Sequence, residues 1–111
     1  MKRQPKQKAP GGLRYDNGKL RMDLLDPIAE AGVAEVLTAG ARKYAAQNWE
    51  LGMPWSKTYA SLRRHLRAFW AGEDYDPETG IPHIDHIATN AMFLQRYFRT
   101  HRHLDDRPTG E

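Results

Sequence analysis

Three histidines and an asparagine stand where a helical core would ordinarily be apolar. At 100° per residue, His83, His86, Asn90, Leu94 and Tyr97 fall within about 60° of one another, near the middle of a stripe that includes Ile84, Ile87 and Ala91. A buried imidazole or amide without a partner costs on the order of 1–3 kcal/mol, so these groups must be hydrogen-bonded or ligated. His65 lies one turn from both Leu62 and Phe69 on the preceding helical segment and points near the same interior. Just upstream of His83, Glu73, Asp74, Asp76 and Glu78 place four carboxylates in eight residues. Imidazole nitrogen with carboxylate oxygen suits a divalent cation such as Mn, Zn or Fe(II), or Mg where oxygen dominates, and Mn or Mg is the cofactor expected. The candidate metal ligands are His65, Glu73, Asp74, His83 and His86; a structural histidine network explains the same spacing equally well.

A second set of residues suits a nucleotide. Arg14, Lys19, Lys43 and Arg64 can neutralise phosphate, Tyr15, Tyr44 and Trp49 can stack on a base, and Asn48 and Asn90 can read its edge. Arg63 and Arg67 fit an ordinary solvated helix face. Glu35 sits between Val33 and Val36, so its carboxylate is either paired with a cation or works as a ligand. If the chain is an enzyme, Glu35, His65 and Asp74 are the candidate catalytic groups.

Several chemistries are excluded. With no cysteine there is no disulfide, thiolate nucleophile or Cys-bound metal. No glycine-rich phosphate loop follows Gly11-Gly12, and no Gly-x-Ser-x-Gly elbow surrounds Ser56 or Ser61. Asp85-His86 reverses the order of a His-Asp phosphohydrolase doublet. No segment approaches the roughly 18 apolar residues of a membrane helix, and the basic amino terminus lacks a signal-peptide core, so a cytoplasmic protein is expected. Net charge is +3, yet Lys2, Arg3, Lys6 and Lys8 carry +4, which leaves residues 9–111 one charge negative. The basicity belongs to the tail, and nucleic acid is not an expected partner.

The elements that must position these groups are helical. Asp26-Pro27 is a cap followed by a first-turn proline, and Ile28, Val33, Val36, Leu37, Gly40 and Tyr44 continue a helix over about 27–44. Asn48 to Pro54 forms a connector that Trp49 and Trp55 pin to the helices. Ser56 caps a second helix over 56–71, with Tyr59, Leu62, Leu66 and Phe69 inward and Gly72 ending it. The acidic loop follows, then a third helix from Pro82 to about residue 100. The expected fold is all-α, a compact bundle of three main helices with an ordered N-terminal loop around Asn17-Gly18. The expected domain layout is a disordered basic tail over 1–11, one nucleotide-handling domain over 12–100, and a polar tail over 101–111 that frays. At 111 residues, with three Trp, five Tyr and three Phe, the core is thin and aromatic, and a homo-oligomer is expected.

Five ordered motifs form a recognisable series: Gly12-Leu13-Arg14-Tyr15-Asp16-x-Gly18-Lys19; Glu35-Val36-Leu37-Thr38-x-Gly40-Ala41-x-Lys43-Tyr44; Asn48-Trp49-Glu50-x-Gly52-Met53-x-Trp55-Ser56; Arg64-His65-Leu66; and Gly72-Glu73-Asp74-x-Asp76-Pro77-Glu78-Thr79-Gly80. His83-x-x-His86-x-x-x-Asn90 extends it. Together they resemble the phage family of dATP/dGTP diphosphohydrolase amino-terminal domains over about residues 12–98. In longer members this module precedes a MazG-like pyrophosphohydrolase region. The resemblance implies metal-assisted cleavage of a purine deoxynucleoside triphosphate to monophosphate and pyrophosphate. Two other readings stay open: a non-catalytic protein that sequesters a purine or cyclic signalling nucleotide, and an accessory oligomerisation module.

Overall fold

The computed structural model describes residues 11–13, 15 and 17–109. The basic tail up to residue 10 and Arg14 lie outside the described residues. Three helices carry the fold: α1 (Pro27–Lys43), α2 (Trp55–Trp70) and α3 (His83–Thr100). No strand occurs among the described residues; one antiparallel bridge pairs Tyr75 with Pro82. The all-α bundle expected from the periodicity is therefore what forms. Among the described residues, no helix is long and apolar enough to cross a membrane.

The Asp26 carboxylate accepts the Ala29 amide at 2.9 Å, with Pro27 at the first helical position, so α1 starts as its cap signals dictate. The start of α2 is different. The helix begins at Trp55, which puts Ser56 inside the first turn, where its amide is an orphan donor rather than a cap. Asp106 supplies the missing acceptor: it takes the Ser56 amide at 2.8 Å and the Ser56 hydroxyl at 2.5 Å.

That contact corrects the expectation of a fraying tail from residue 101. Arg102–Leu104 form a short 3-10 turn, and the Trp55 indole donates to the His101 carbonyl at 3.2 Å. The guanidinium groups of Arg102 and Arg107 stand over the Trp55 ring at 5.5 and 5.0 Å. A polar composition concealed this packing, because arginines bind here through ring faces and not through an apolar stripe.

The apolar core is small. Among the described residues Trp55, Ile81 and Tyr97 are the buried hydrophobic ones, joined by buried Thr58, His83, His86 and Thr89. The main interface is between α2 and α3; α1 leans on α3 and scarcely meets α2. Gly32 lets it approach, since a Cβ there would land on the Asp85 carboxylate. The connector is pinned by Trp49, whose ring stacks on Phe93 at 4.8 Å and whose carbonyl accepts the Tyr97 hydroxyl at 2.6 Å. Gly52 follows with φ of 86°, a left-handed conformation that favours glycine, packed so closely on His101 that no side chain fits.

Tyr97→Phe tests the pinning. It leaves the ring in place and removes one of the two donors to the Trp49 carbonyl, the Gly52 amide remaining at 3.1 Å, a loss of about 1 kcal/mol. For a domain this small the melting temperature should fall by about 4–8 °C. An unchanged melting curve would show that the connector is held by ring stacking alone.

Candidate functional site

The acidic loop is a rigid turn. Asp76 accepts both the Thr79 amide, at 3.1 Å, and the Thr79 hydroxyl, at 2.8 Å. Its backbone carbonyl takes the Gly80 amide at 2.7 Å, and its own amide donates to the Ile81 carbonyl at 2.9 Å. Buried Ile81 anchors the return, and the His83 amide closes onto the Asp74 carbonyl at 2.9 Å. The first turn of α3 therefore emerges with a fixed orientation and presents His83 and His86 to α2.

The imidazoles form one connected cluster. His83 Nε2 lies 2.7 Å from a Glu73 carboxylate oxygen, and His83 Nδ1 lies 2.8 Å from His65 Nδ1. If Glu73 accepts the His83 Nε2 proton, His83 Nδ1 is an acceptor and His65 Nδ1 must donate. The ring of His86 stacks on His65 at 4.3 Å with an interplanar angle of 4°. His86 Nε2 meets the Thr79 hydroxyl at 2.9 Å and stands 3.8 Å from Asp76. Below it, Asn90 donates to the His86 carbonyl at 3.0 Å and to the Ser61 hydroxyl at 3.3 Å.

Burial lowers the pKa of His65, helped by repulsion from His86 and opposed by Asp76. Burial likewise lowers that of His86, against the pull of Asp76. Burial alone would raise the Asp76 carboxyl, but the two Thr79 hydrogen bonds outweigh it and hold the group below its usual range. Near pH 7 the cluster thus combines neutral His65 and His86 with an ionised carboxylate. His65, Asp76 and His83 each offer one ligand atom, and these atoms lie within 4.8 Å of one another.

The set proposed from sequence is partly regrouped. His65 and His83 are in the triad; Asp76 takes the place given to Asp74, whose side chain is exposed and which contributes its backbone carbonyl. Glu73 and His86 flank the triad through His83 and Thr79. Asp76 is one of three acidic-loop carboxylates, with Glu73 and Asp74, expected to be able to reach the histidines, and its Asp-x-x-Thr spacing, a turn in which the carboxylate is tied to its own backbone, is the signal that singles it out. Glu35 is exposed and absent from the groove, because the helix turns Val36 and Leu37 toward it instead.

Above the cluster opens a groove of about 1080 Å³ between α1, α2 and α3. Lys43, Tyr44, Asn48, Trp49, Arg64 and Asn90 all line it. Lys43 reaches Glu78 of the acidic loop at 3.5 Å and lies 5.1 Å from the Tyr44 ring centre. Trp49 is half-buried, with Phe93 stacked on its ring and Arg96 over it at 5.8 Å, so it serves the fold, while the Tyr44 ring is exposed and carries Lys43 over one face. Tyr15 and Lys19 are exposed and lie outside the groove.

The family described as "dATP/dGTP diphosphohydrolase, N-terminal" matches residues 9–107. A dATP/dGTP diphosphohydrolase of Salmonella phage PMBT28 is 33% identical over 100 residues, which cover 90% of this chain and 32% of that protein. The chain thus spans about a third of the length of the relative it matches. No solved structure matches it.

The lowered histidine pKa values predict an acid-sensitive fold. Unfolding lets His65 and His86 titrate near the ordinary 6.5, so the unfolded chain takes up protons first as the pH drops. Stability should be full above about pH 6.5 and decline below it, levelling once the folded values are passed. Urea midpoints measured with chelator present at pH 7.5, 6 and 5 check this; a midpoint that rises toward pH 5 would contradict the buried, neutral assignment.

Proposed function

Because the chain belongs to the dATP/dGTP diphosphohydrolase amino-terminal family, we propose that its groove binds a purine deoxynucleoside triphosphate and cleaves it to monophosphate and pyrophosphate. The observation that carries this reading is the layering of the groove, with Lys43 and Arg64 among its lining residues above a base of imidazole and carboxylate. Water adds to the α-phosphorus, the bond from that phosphorus to the bridging oxygen breaks, and pyrophosphate leaves. The proton lost by water goes to the imidazole cluster, whose neutral rings can accept it. Lys43 and Arg64 hold phosphate oxygens, and Tyr44 supplies a face for the base.

Two imidazoles and one carboxylate fit a divalent cation, and the Glu73 contact to His83 is the kind of outer partner that orients a ligating histidine. Nitrogen-rich donors favour Mn over Mg. His65, Asp76 and His83 would hold it, and when bound it would neutralise triphosphate charge. A cytoplasmic location, that of the host cell if the chain is phage-encoded, is part of this reading.

A second reading, binding without cleavage, has its own support. Both carboxylates facing the cluster are already engaged, Glu73 with His83 and Asp76 with Thr79, and Glu35 is remote. Such a protein would sequester a purine nucleotide.

Incubation with dATP or dGTP and Mn separates the two. Pyrophosphate release is the expected outcome, abolished by His83→Ala and by Asp76→Asn. Lys43→Ala should leave metal uptake intact and weaken nucleotide affinity by about tenfold. Nucleotide retained by the protein but recovered intact would establish sequestration, and neither binding nor cleavage would leave an accessory role.

A further inference from the structure

The outer side of α2 carries charge of one sign. Among its 16 residues Lys57, Arg63, Arg64 and Arg67 are cationic and none is acidic. A helix face that meets only water usually interleaves acid with base, whereas like charges three or four residues apart destabilise the helix. Arg67 stands at those spacings from Arg64 and Arg63. Arg64 and Arg67 have no ion-pair or hydrogen-bond partner among the described residues, and Arg63 reaches the Tyr59 hydroxyl at 2.6 Å. Residues 9–111 sum to one negative charge, so with four cations on α2 the rest of that stretch carries five negative. The average that argues against a polyanionic partner thus conceals a cationic helix.

Arg63, Leu66, Arg67 and Trp70 follow one another at i, i+3, i+4 and i+7 and fall within about 100° on the helix. They lie on the side opposite Ser61 and His65, which face the groove. With Arg64 at their edge they line a shallow recess of about 600 Å³. Trp70 is 86% exposed, and no ring or guanidinium touches it among the described residues. The other two tryptophans are both engaged, Trp49 with Phe93 and Trp55 with Arg102 and Arg107.

Unpaired guanidinium groups suit phosphate, and an indole open on both faces suits a flat ring. A nucleic-acid strand offers the two in alternation. A duplex withholds its base faces inside the stack. An acidic protein segment lacks the ring, and with two apolar side chains, Leu66 and Trp70, the recess has little of the apolar centre that a protein interface needs. From Arg63 to Trp70 is about 10 Å along the axis, the length of about three nucleotides stacked at roughly 3.4 Å each. We infer that the outer face of α2 binds single-stranded nucleic acid, with Arg63 and Arg67 on successive phosphates and Trp70 stacked on a base. None of the five lining side chains can accept a hydrogen bond from a sugar hydroxyl, so phosphate and base, not the sugar, define the ligand. The recess is separate from the groove, Arg64 lining both, and its ligand does not depend on the nucleotide reading.

Fluorescence anisotropy of a labelled oligothymidine of about ten nucleotides tests this, since pyrimidine bases leave a purine site unengaged. Binding should be saturable and weaken steeply between about 50 and 200 mM salt. Arg63→Gln combined with Arg67→Gln should cost at least tenfold in affinity and lower the logarithmic salt slope by about 1.4, because each single-strand phosphate contact contributes about 0.7. Trp70→Ala should also cost about tenfold but leave that slope unchanged, and Trp70→Phe should keep most of the affinity, a separation that misfolding cannot produce. All three side chains are exposed, so the melting temperatures should match the parent. Affinity that survives the double arginine variant belongs to cations elsewhere in the chain and overturns the site. Equal affinity for a duplex of the same length or for a glutamate peptide of the same charge overturns single-strand recognition. Displacement of the oligothymidine by dATP would place it in the groove and overturn the separate site, whereas failure of dATP to bind or be cleaved bears on the nucleotide reading alone.

Discussion

Everything in this fold answers to the burial of imidazole nitrogens between α2 and α3. An apolar interface would tolerate slippage, but rings with two polar atoms each do not. His83 must meet Glu73 on one side and His65 on the other, and His86 must meet Thr79 while lying flat on His65. Each unmet nitrogen would cost as much as a hydrogen bond contributes, so the register of the two helices is fixed by polar geometry. The acidic loop is built to the same end, with the Asp76 to Thr79 turn placing one carboxylate beside the rings and buried Ile81 returning the chain.

Specificity obtained in this way leaves little apolar volume for stability. Of the buried residues among those described, four are Thr or His and three are hydrophobic. Aromatic contacts compensate: Trp49 is held by Phe93 and by the Tyr97 hydroxyl, and Trp55 is held by the His101 carbonyl and two guanidinium groups. The carboxyl-terminal segment is part of this scheme, since Asp106 completes the first turn of α2. Residues that look like a hydrophilic tail thus close a helix end that contributes Trp55 to the core. The open side of the fold is α1, which touches α3 and leaves the groove wall free.

The sequence by itself determined the three helices, because the 3.6-residue apolar period, the Asp26-Pro27 start and the glycine and proline breaks are local signals that tertiary contacts did not override. It also pointed His65 and His83 toward one interior, since buried polar groups at helical spacing have few alternatives; that Lys43, Tyr44, Asn48, Arg64 and Asn90 line one groove is a matter of tertiary structure. What it could not decide was which neighbour of a run wins. Asp74 and Asp76 are both acidic and two residues apart, and only the Asp76 to Thr79 turn rotates one inward and the other out. Ser56 resembles a cap until Trp55 enters the helix and Asp106, 50 residues away, proves to be the acceptor. Trp49 has the chemistry to stack on a base, yet Phe93 already occupies a face of its ring. Local period and chemistry fix what a residue can do; only packing between segments far apart in the chain fixes which partner it meets.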